Sequence, residues 1–144
     1  MDIDDICNIV GEELGKGYAE CVYQEGICVL LRENMLGYSK EVVIPIKYNE
    51  SIIGNVRADI VLHDEKTIIE CKAIDSNLKP SHFPQIITYM NLLDYKNGIL
   101  VNFNQNPSKE MVEIAKVKRL EYNKYVISLD EIEYYLTKNG NLII

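Results

Sequence analysis

Two stretches near the N-terminus repeat apolar residues at helical spacing: Ile3, Ile6, Ile9 and Val10, then Val22, Ile27, Leu30 and Leu31. The pattern predicts helices over residues 3–14 and 18–34, with Gly15-Lys16-Gly17 breaking them apart and Gly37 in the place of a C-cap glycine. Past residue 40 the period shortens. Residues 41–48 read as a β-rich run whose Pro45 points to an edge strand or a bulge, and the turn Asn49-Glu50-Ser51 leads back into a second extended run, residues 52–62. A polar tip at 63–66 precedes a mostly buried strand over 67–74. Pro80 and Ser81 then introduce a helix over 82–94, with Ile86, Ile87, Met90 and Leu93 facing inward. Residues 98–103 form a short buried strand. The segment 111–122 fits either helix or strand, its second half favouring strand. Ser128, with Glu131 three residues on, has the form of a capping box and predicts a last helix through Leu136. The order of these elements predicts a single α/β domain over residues 1–144, with a central mixed sheet of four or five strands flanked by helices.

Composition narrows the partners rather than the fold. The chain has 144 residues, 47% of them apolar and 26% charged, as an ordinary globular protein does. Its 15 basic and 22 acidic side chains leave a net charge of −7. An acidic surface does not coat itself with nucleic acid through bulk charge, so any phosphate chemistry must be local or metal-mediated. No apolar run approaches the ~20 residues that cross a bilayer, and Met1-Asp2-Ile3-Asp4-Asp5 is acidic where a secretory signal is basic. The expectation is a soluble, intracellular protein, cytoplasmic, with no membrane partner. Cys7, Cys21, Cys28 and Cys71 form no C-x-x-C pair, which argues against a zinc knuckle or a disulfide scaffold and predicts reduced, mostly buried thiols.

Chemistry concentrates in one strand. Glu70 and Lys72 stand two residues apart within an apolar run, so strand alternation puts both on one face, about 6.5 Å apart. Two other acid-x-Lys triplets, 64–66 and 94–96, fall at a turn and at a helix end, where solvated charges are ordinary. The preceding strand carries Asp59 among apolar residues. If the two strands form a hairpin whose loop is either Asp64-Glu65 or the four residues 63–66, Leu62 pairs with Thr67 and Asp59 falls opposite Glu70. Two facing carboxylates on neighbouring strands repel unless a positive charge lies between them. Oxygen-only ligation of that kind suits magnesium or manganese. Lys72 beside them is placed to orient a water or to meet the charge that grows on a phosphate. The plain alternative is a solvent-facing ion pair across the two strands.

These residues resemble a known family. Asp59, followed after ten residues by Glu70-Cys71-Lys72, is similar to the core of the PD-(D/E)xK nuclease superfamily. Gly17-Tyr18-Ala19-Glu20-Cys21-Val22-Tyr23 resembles the G-x-x-E-x-x-Y signature of its GxxExxY branch, and His82-x-x-Gln85-x-x-x-Tyr89 resembles that branch's helix motif. Ala58 stands where the superfamily's name has proline. The resemblance implies a restriction-endonuclease-like core and a Mg²⁺-dependent DNA nuclease, Mn²⁺ able to substitute, leaving a 5′-phosphate. It implies that Asp59, Glu70 and the Cys71 main-chain carbonyl bind the metal, with Glu20 completing the shell, and that Lys72 is the catalytic lysine. Gln85 and Tyr89 would brace the site and touch the phosphate backbone, with Tyr23 and His82 as further substrate contacts. Lys118 and Arg119, within the basic run Lys116–Lys124, would hold the DNA backbone or else form a solvated edge. DNA is the implied partner without excluding RNA, and a homodimer is left open. The rival expectation is a catalytically silent module of the same fold that binds nucleic acid or a protein.

Overall fold

The computed structural model describes residues 1–143. Helix α1 spans Ile3–Leu14 and α2 Glu20–Glu33. The first begins with a reciprocal cap: the Asp5 N–H donates to Asp2 Oδ1 at 2.8 Å and the Asp2 N–H to Asp5 Oδ2 at 3.1 Å. It ends at Gly15, whose φ of 70° favours a residue without a Cβ.

Seven strands follow: β1 (Tyr38–Tyr48), β2 (Ser51–Leu62), β3 (Thr67–Lys72), β4 (Asn97–Phe103), β5 (Val112–Glu121), β6 (Lys124–Leu129) and β7 (Ile132–Leu136). Helix α3, Pro84–Leu93, follows a 3-10 turn at Pro80–His82 and connects β3 to β4. The strands lie side by side in sequence order, antiparallel everywhere except between β3 and β4. That one parallel pair is what requires a helical crossover.

The mixed α/β class is as expected, but the sheet has seven strands rather than four or five. The extra strands come from the C-terminal third. Residues 112–121 are strand throughout, and the helix anticipated from Ser128 and Glu131 is instead the β6–β7 hairpin, turning at Asp130 with φ 54°. The capping signal lost to burial. Tyr125, Val126 and Ile127 are buried, and Ile127 pairs with Tyr134 as Tyr125 pairs with Leu136. A helix starting at Ser128 would leave that apolar surface uncovered.

Two cores sandwich the sheet. On one face α1 and α2 bring Ile6, Val10, Tyr23, Ile27 and Leu31 against Ile60, Leu62, Ile69, Cys71, Val101 and Phe103. On the other, Phe83, Ile86, Ile87 and Met90 of the α3 region cover Ala58, Val61, Ile68 and Leu100. Gly98 makes the second contact possible, since a Cβ there would meet Met90 Sδ at 2.8 Å. Three of the four thiols are buried as expected, while Cys21 is exposed, and all four are free. Among the described residues no helix is long and apolar enough to cross a membrane.

Candidate active site

The β2–β3 hairpin has the anticipated register, with Leu62 opposite Thr67, Val61 opposite Ile68 and Ile60 opposite Ile69. There its ladder stops, while β3 stays paired to β4 as far as Lys72 and Asn102. Below the stop, side-chain oxygens replace main-chain carbonyls as acceptors. The Asp59 N–H donates to Glu70 Oε1 at 2.9 Å, and the Cys71 N–H donates to Asp59 Oδ2 at 2.8 Å. Asp59 and Glu70 are therefore brought together, each held by the other strand's backbone.

The chain prepares this break locally. Val56 and Ala58 face the α3 core, whereas Ile60 and Leu62 face the α1–α2 core, so alternation along β2 slips by one residue at Asp59. The neighbouring strand slips at the same level. Tyr38 joins the α1–α2 core, Val42 and Ile44 join the α3 core, and Glu41 between them has φ 52°. A glutamate in the left-handed region is uncommon and costs about 1–3 kcal/mol.

Burial gives the pair its electrostatics. Glu70 is only 5% exposed. Desolvation first, and the Asp59 charge second, push its carboxyl up to about 8. Desolvation also raises Asp59, against the Cys71 N–H and Lys72, which favour its charged form. Glu20 reaches the same neighbourhood from the start of α2: partial burial raises its carboxyl, while the Lys72 charge lowers it and Asp59 raises it. Lys72 is half-buried and, among the described residues, forms no ion pair.

The far side of the site is closed by α3. Tyr89 is 5% exposed and accepts a 2.9 Å hydrogen bond from Gln85 Nε2; burial and then the nearby Glu70 raise its hydroxyl. His82 lies in the 3-10 turn rather than in the helix. Its Nδ1 accepts the Lys79 N–H at 3.0 Å, and burial followed by the Lys72 charge lowers its pKa. Cys71 points its thiol into the α1–α2 core, away from Glu70 and Lys72, and only its backbone belongs to the site.

Three of the anticipated substrate contacts lie elsewhere. Tyr23 is fully buried and stacks on Phe103 with ring centroids 4.5 Å apart. Its hydroxyl donates to the Gly15 carbonyl at 2.7 Å and accepts from Gln105 Nε2 at 3.0 Å. Gln105 in turn accepts the Gly17 N–H at 2.6 Å. The glycine and tyrosine of the motif thus fix the loop that launches α2, leaving Glu20 as the member that faces the site. Lys118 and Arg119 sit at the other end of the sheet. Lys118 pairs with Asn97, level with Thr67 and five ladder positions from Asn102 and Lys72, or about 16 Å. Arg119 is tied to Asp94 at 2.6 Å. A groove of about 440 Å³ lies at that end too, lined by Thr67, Asn97, Ile99, Lys116 and Lys118, and none of the Asp59 group borders it.

Other residues of the site escape a reading by motif. Gln24, one helical turn after Glu20, is buried and donates from Nε2 to the Asp59 carbonyl at 3.3 Å; its i, i+4 spacing from Glu20 was the available signal. Asn102, wholly buried beside Lys72, accepts the Ile74 N–H and donates to the Ser76 carbonyl and to Glu113 Oε1. Glu113 also accepts from Asn104 and from the Leu78 N–H. This network fixes the segment that runs from Lys72 to His82, and nothing in the sequence pattern announced it.

The donor chemistry suits a hard divalent cation. Two carboxyl groups, one nearly buried and neither paired with a cationic side chain, stand where a cation would favour their charged forms. Among the described residues no group of three or more His, Cys, Asp or Glu side chains is placed to hold a metal. The carboxyls that meet here are those of Asp59 and Glu70, and magnesium is an ion that keeps several waters and takes one or two carboxylates.

The fold and site together define a class: a mixed sheet between helical layers, with an acid, a second acid and a lysine gathered where two central strands part. The PD-(D/E)XK nuclease superfamily model matches residues 1–117, and the chain belongs to that superfamily. Among solved structures it is similar to one described as the crystal structure of SSO0001, with a TM-score of 0.54 and 21% identity over 72% of this chain. The match spans 52% of that protein's chain, so the likeness is one of fold over about half its length. Among curated proteins nothing matches this chain.

Proposed function

We propose that the protein is a Mg²⁺-dependent nuclease that hydrolyses DNA phosphodiester bonds, of the GxxExxY branch of its superfamily. The observation that carries this reading is the meeting of Asp59 and Glu70 below the last β2–β3 pair, with Lys72 two residues further along. Superfamily membership supports the nuclease class.

Asp59 and Glu70 would hold the cation with the Cys71 main-chain carbonyl, and Glu20, which feels the Asp59 and Lys72 charges, would complete the shell by holding one of its waters. Such an ion supplies Lewis acidity towards a phosphate and makes a water acidic enough to attack near neutral pH. Glu70, whose carboxyl is held up to about 8, would have to be deprotonated to serve as a ligand. The Lys72 ammonium orients the attacking water and faces the charge that develops on the phosphate. Gln85 and Tyr89, joined by their hydrogen bond, brace the wall beside Glu70 and present an amide towards the phosphate backbone. His82, whose pKa burial and then the Lys72 charge lower, would be a further substrate contact on the Lys72 side.

The test is direct. Purified protein is incubated with plasmid, linear and branched DNA, with magnesium or with EDTA. Cleavage with magnesium that EDTA stops and Lys72→Ala removes supports the reading. Cleavage by Lys72→Ala at the wild-type rate takes that role from the lysine. A well-folded protein that neither cuts DNA nor gains stability from Mn²⁺ is a binding module on the same fold.

A further inference from the structure

The slip in β2 takes the Asp59 peptide out of the ladder to β3, whose last pair is Ile60 with Ile69. A main-chain group released in that way needs another partner where water is scarce. Side chains supply both partners here. The Asp59 N–H donates to Glu70 Oε1 at 2.9 Å, and the Asp59 carbonyl accepts from Gln24 Nε2 at 3.3 Å. Gln24 reaches this point from α2, where it is 8% exposed and stands one turn past Glu20.

Three tethers thus converge on one residue, because Asp59 Oδ2 also accepts the Cys71 N–H at 2.8 Å. They are mechanically linked. Glu70 Oε1 is seated on the Asp59 N–H, so a movement of the Asp59 main chain displaces the Glu70 carboxyl together with its own. Gln24 is the tether that binds this main chain to a helix rather than to the neighbouring strand. The helix is a firm support, since Ile27 and Leu31 of α2 are wholly buried in the α1–α2 core.

The chemistry of the donor suits the place. Asp59, Glu70, Glu20 and Lys72 already set the charge around this point, and an amide adds a donor without altering it. A lysine at position 24 would compete with a cation, and an ionised glutamate would have no proton to give the carbonyl.

We infer that Gln24 is a positioning residue of the cation site: by holding the Asp59 carbonyl it fixes the main chain on which both the Asp59 and Glu70 carboxyls are aimed. The inference rests on the nuclease reading and deepens it, adding a residue that touches neither the cation nor the substrate.

Melting of the metal-free protein against added Mn²⁺, with no DNA present, tests it. Gln24→Met is close in volume but cannot donate. It should raise the Mn²⁺ concentration that gives half the full rise in melting temperature by about 10–100-fold, the usual cost of losing a group that orients a metal ligand. With magnesium, kcat on linear DNA should fall while KM for the DNA keeps its wild-type value, since Gln24 is buried behind the site. Thr67→Val is the structural control. It deletes the hydroxyl that donates to the Glu65 carbonyl at the other end of the β2–β3 hairpin, and it should lower the metal-free melting temperature with the Mn²⁺ midpoint unmoved. If Gln24→Met does not fold, Gln24→Ala, which lets a water reach the carbonyl, carries the same expectation. A Gln24 variant that melts lower yet keeps the wild-type Mn²⁺ midpoint overturns the inference and leaves the nuclease reading standing. A wild-type protein that neither gains stability from Mn²⁺ nor cuts DNA overturns both.

Discussion

The two ends of β3 handle charge in opposite ways. At the Thr67 end the ladder to β2 is intact and the nearby charges lie on the surface, Lys116 against Asp4 at 3.2 Å and Arg119 against Asp94 at 2.6 Å. Water screens such pairs, and each contributes roughly 0–1 kcal/mol. At the Lys72 end the ladder is open, and Asp59 and Glu70 occupy the gap as acceptors for main-chain N–H groups. With little water to solvate them, both carboxyls are held above their ordinary range. A charged cluster matters chemically where backbone pairing has been given up and solvent excluded, not where basic residues are most numerous in the sequence.

The sharpest way to break this contrast is by activity. Lys72→Ala should lower magnesium-supported DNA cleavage by about 10²–10⁴-fold, the usual range for a group that positions or transfers a proton, whereas Lys118→Ala should leave the rate near that of the wild type. Equal losses in the two variants, read from initial rates, would erase the distinction between the ends of the sheet.

Next in size are the changes in stability. Asn102→Ala removes a buried side chain with three hydrogen-bond partners and should cost about 2–4 kcal/mol in urea unfolding, most of it from polar groups left unpaired. Millimolar Mn²⁺ should raise the melting temperature of the wild-type protein but not of Asp59→Asn; a ligand at 100 times its Kd stabilises by about 2.7 kcal/mol. An equal rise in both proteins would place the ion elsewhere.

A smaller, pH-dependent effect separates burial from pairing. Glu70 titrates at about 8 in the fold and near the ordinary carboxylate value, about 4.3, in the unfolded chain. The stability tied to its proton is complete below the unfolded value and is lost as pH rises through 8. Metal-free wild-type protein should accordingly melt lower at pH 8 than at pH 6, and Glu70→Gln should flatten that decline. The same decline in both proteins would assign it to another group.

Much of this was legible in the chain. The hairpin register followed from the polar tip at 63–66, because an even loop fixes which residues face each other, and it brought Asp59 and Glu70 into view before any coordinates. Not legible was that the ladder ends at Ile60, since the slip at Glu41 and Asp59 depends on which helix layer each strand residue meets. Gln24, Asn102 and Glu113 were invisible for a related reason: their partners lie from 9 to 35 residues away. The Ser128–Glu131 signal misled because a capping box reports only local preference, and the apolar face of Tyr125, Ile127 and Leu136 could be buried only by adding strands.

The sequence by itself determined the first two helices, the tight β2–β3 turn and the identity of the acid–acid–lysine set, all of which depend on residues close together along the chain. Tertiary structure alone decided the number of strands, the turning of Tyr23 from surface to core, and the arrival of Gln24 beside Asp59. Those outcomes depend on which apolar surfaces remain to be covered once the central strands have paired, and burial of that surface outweighs the few tenths of a kcal/mol by which local preferences differ.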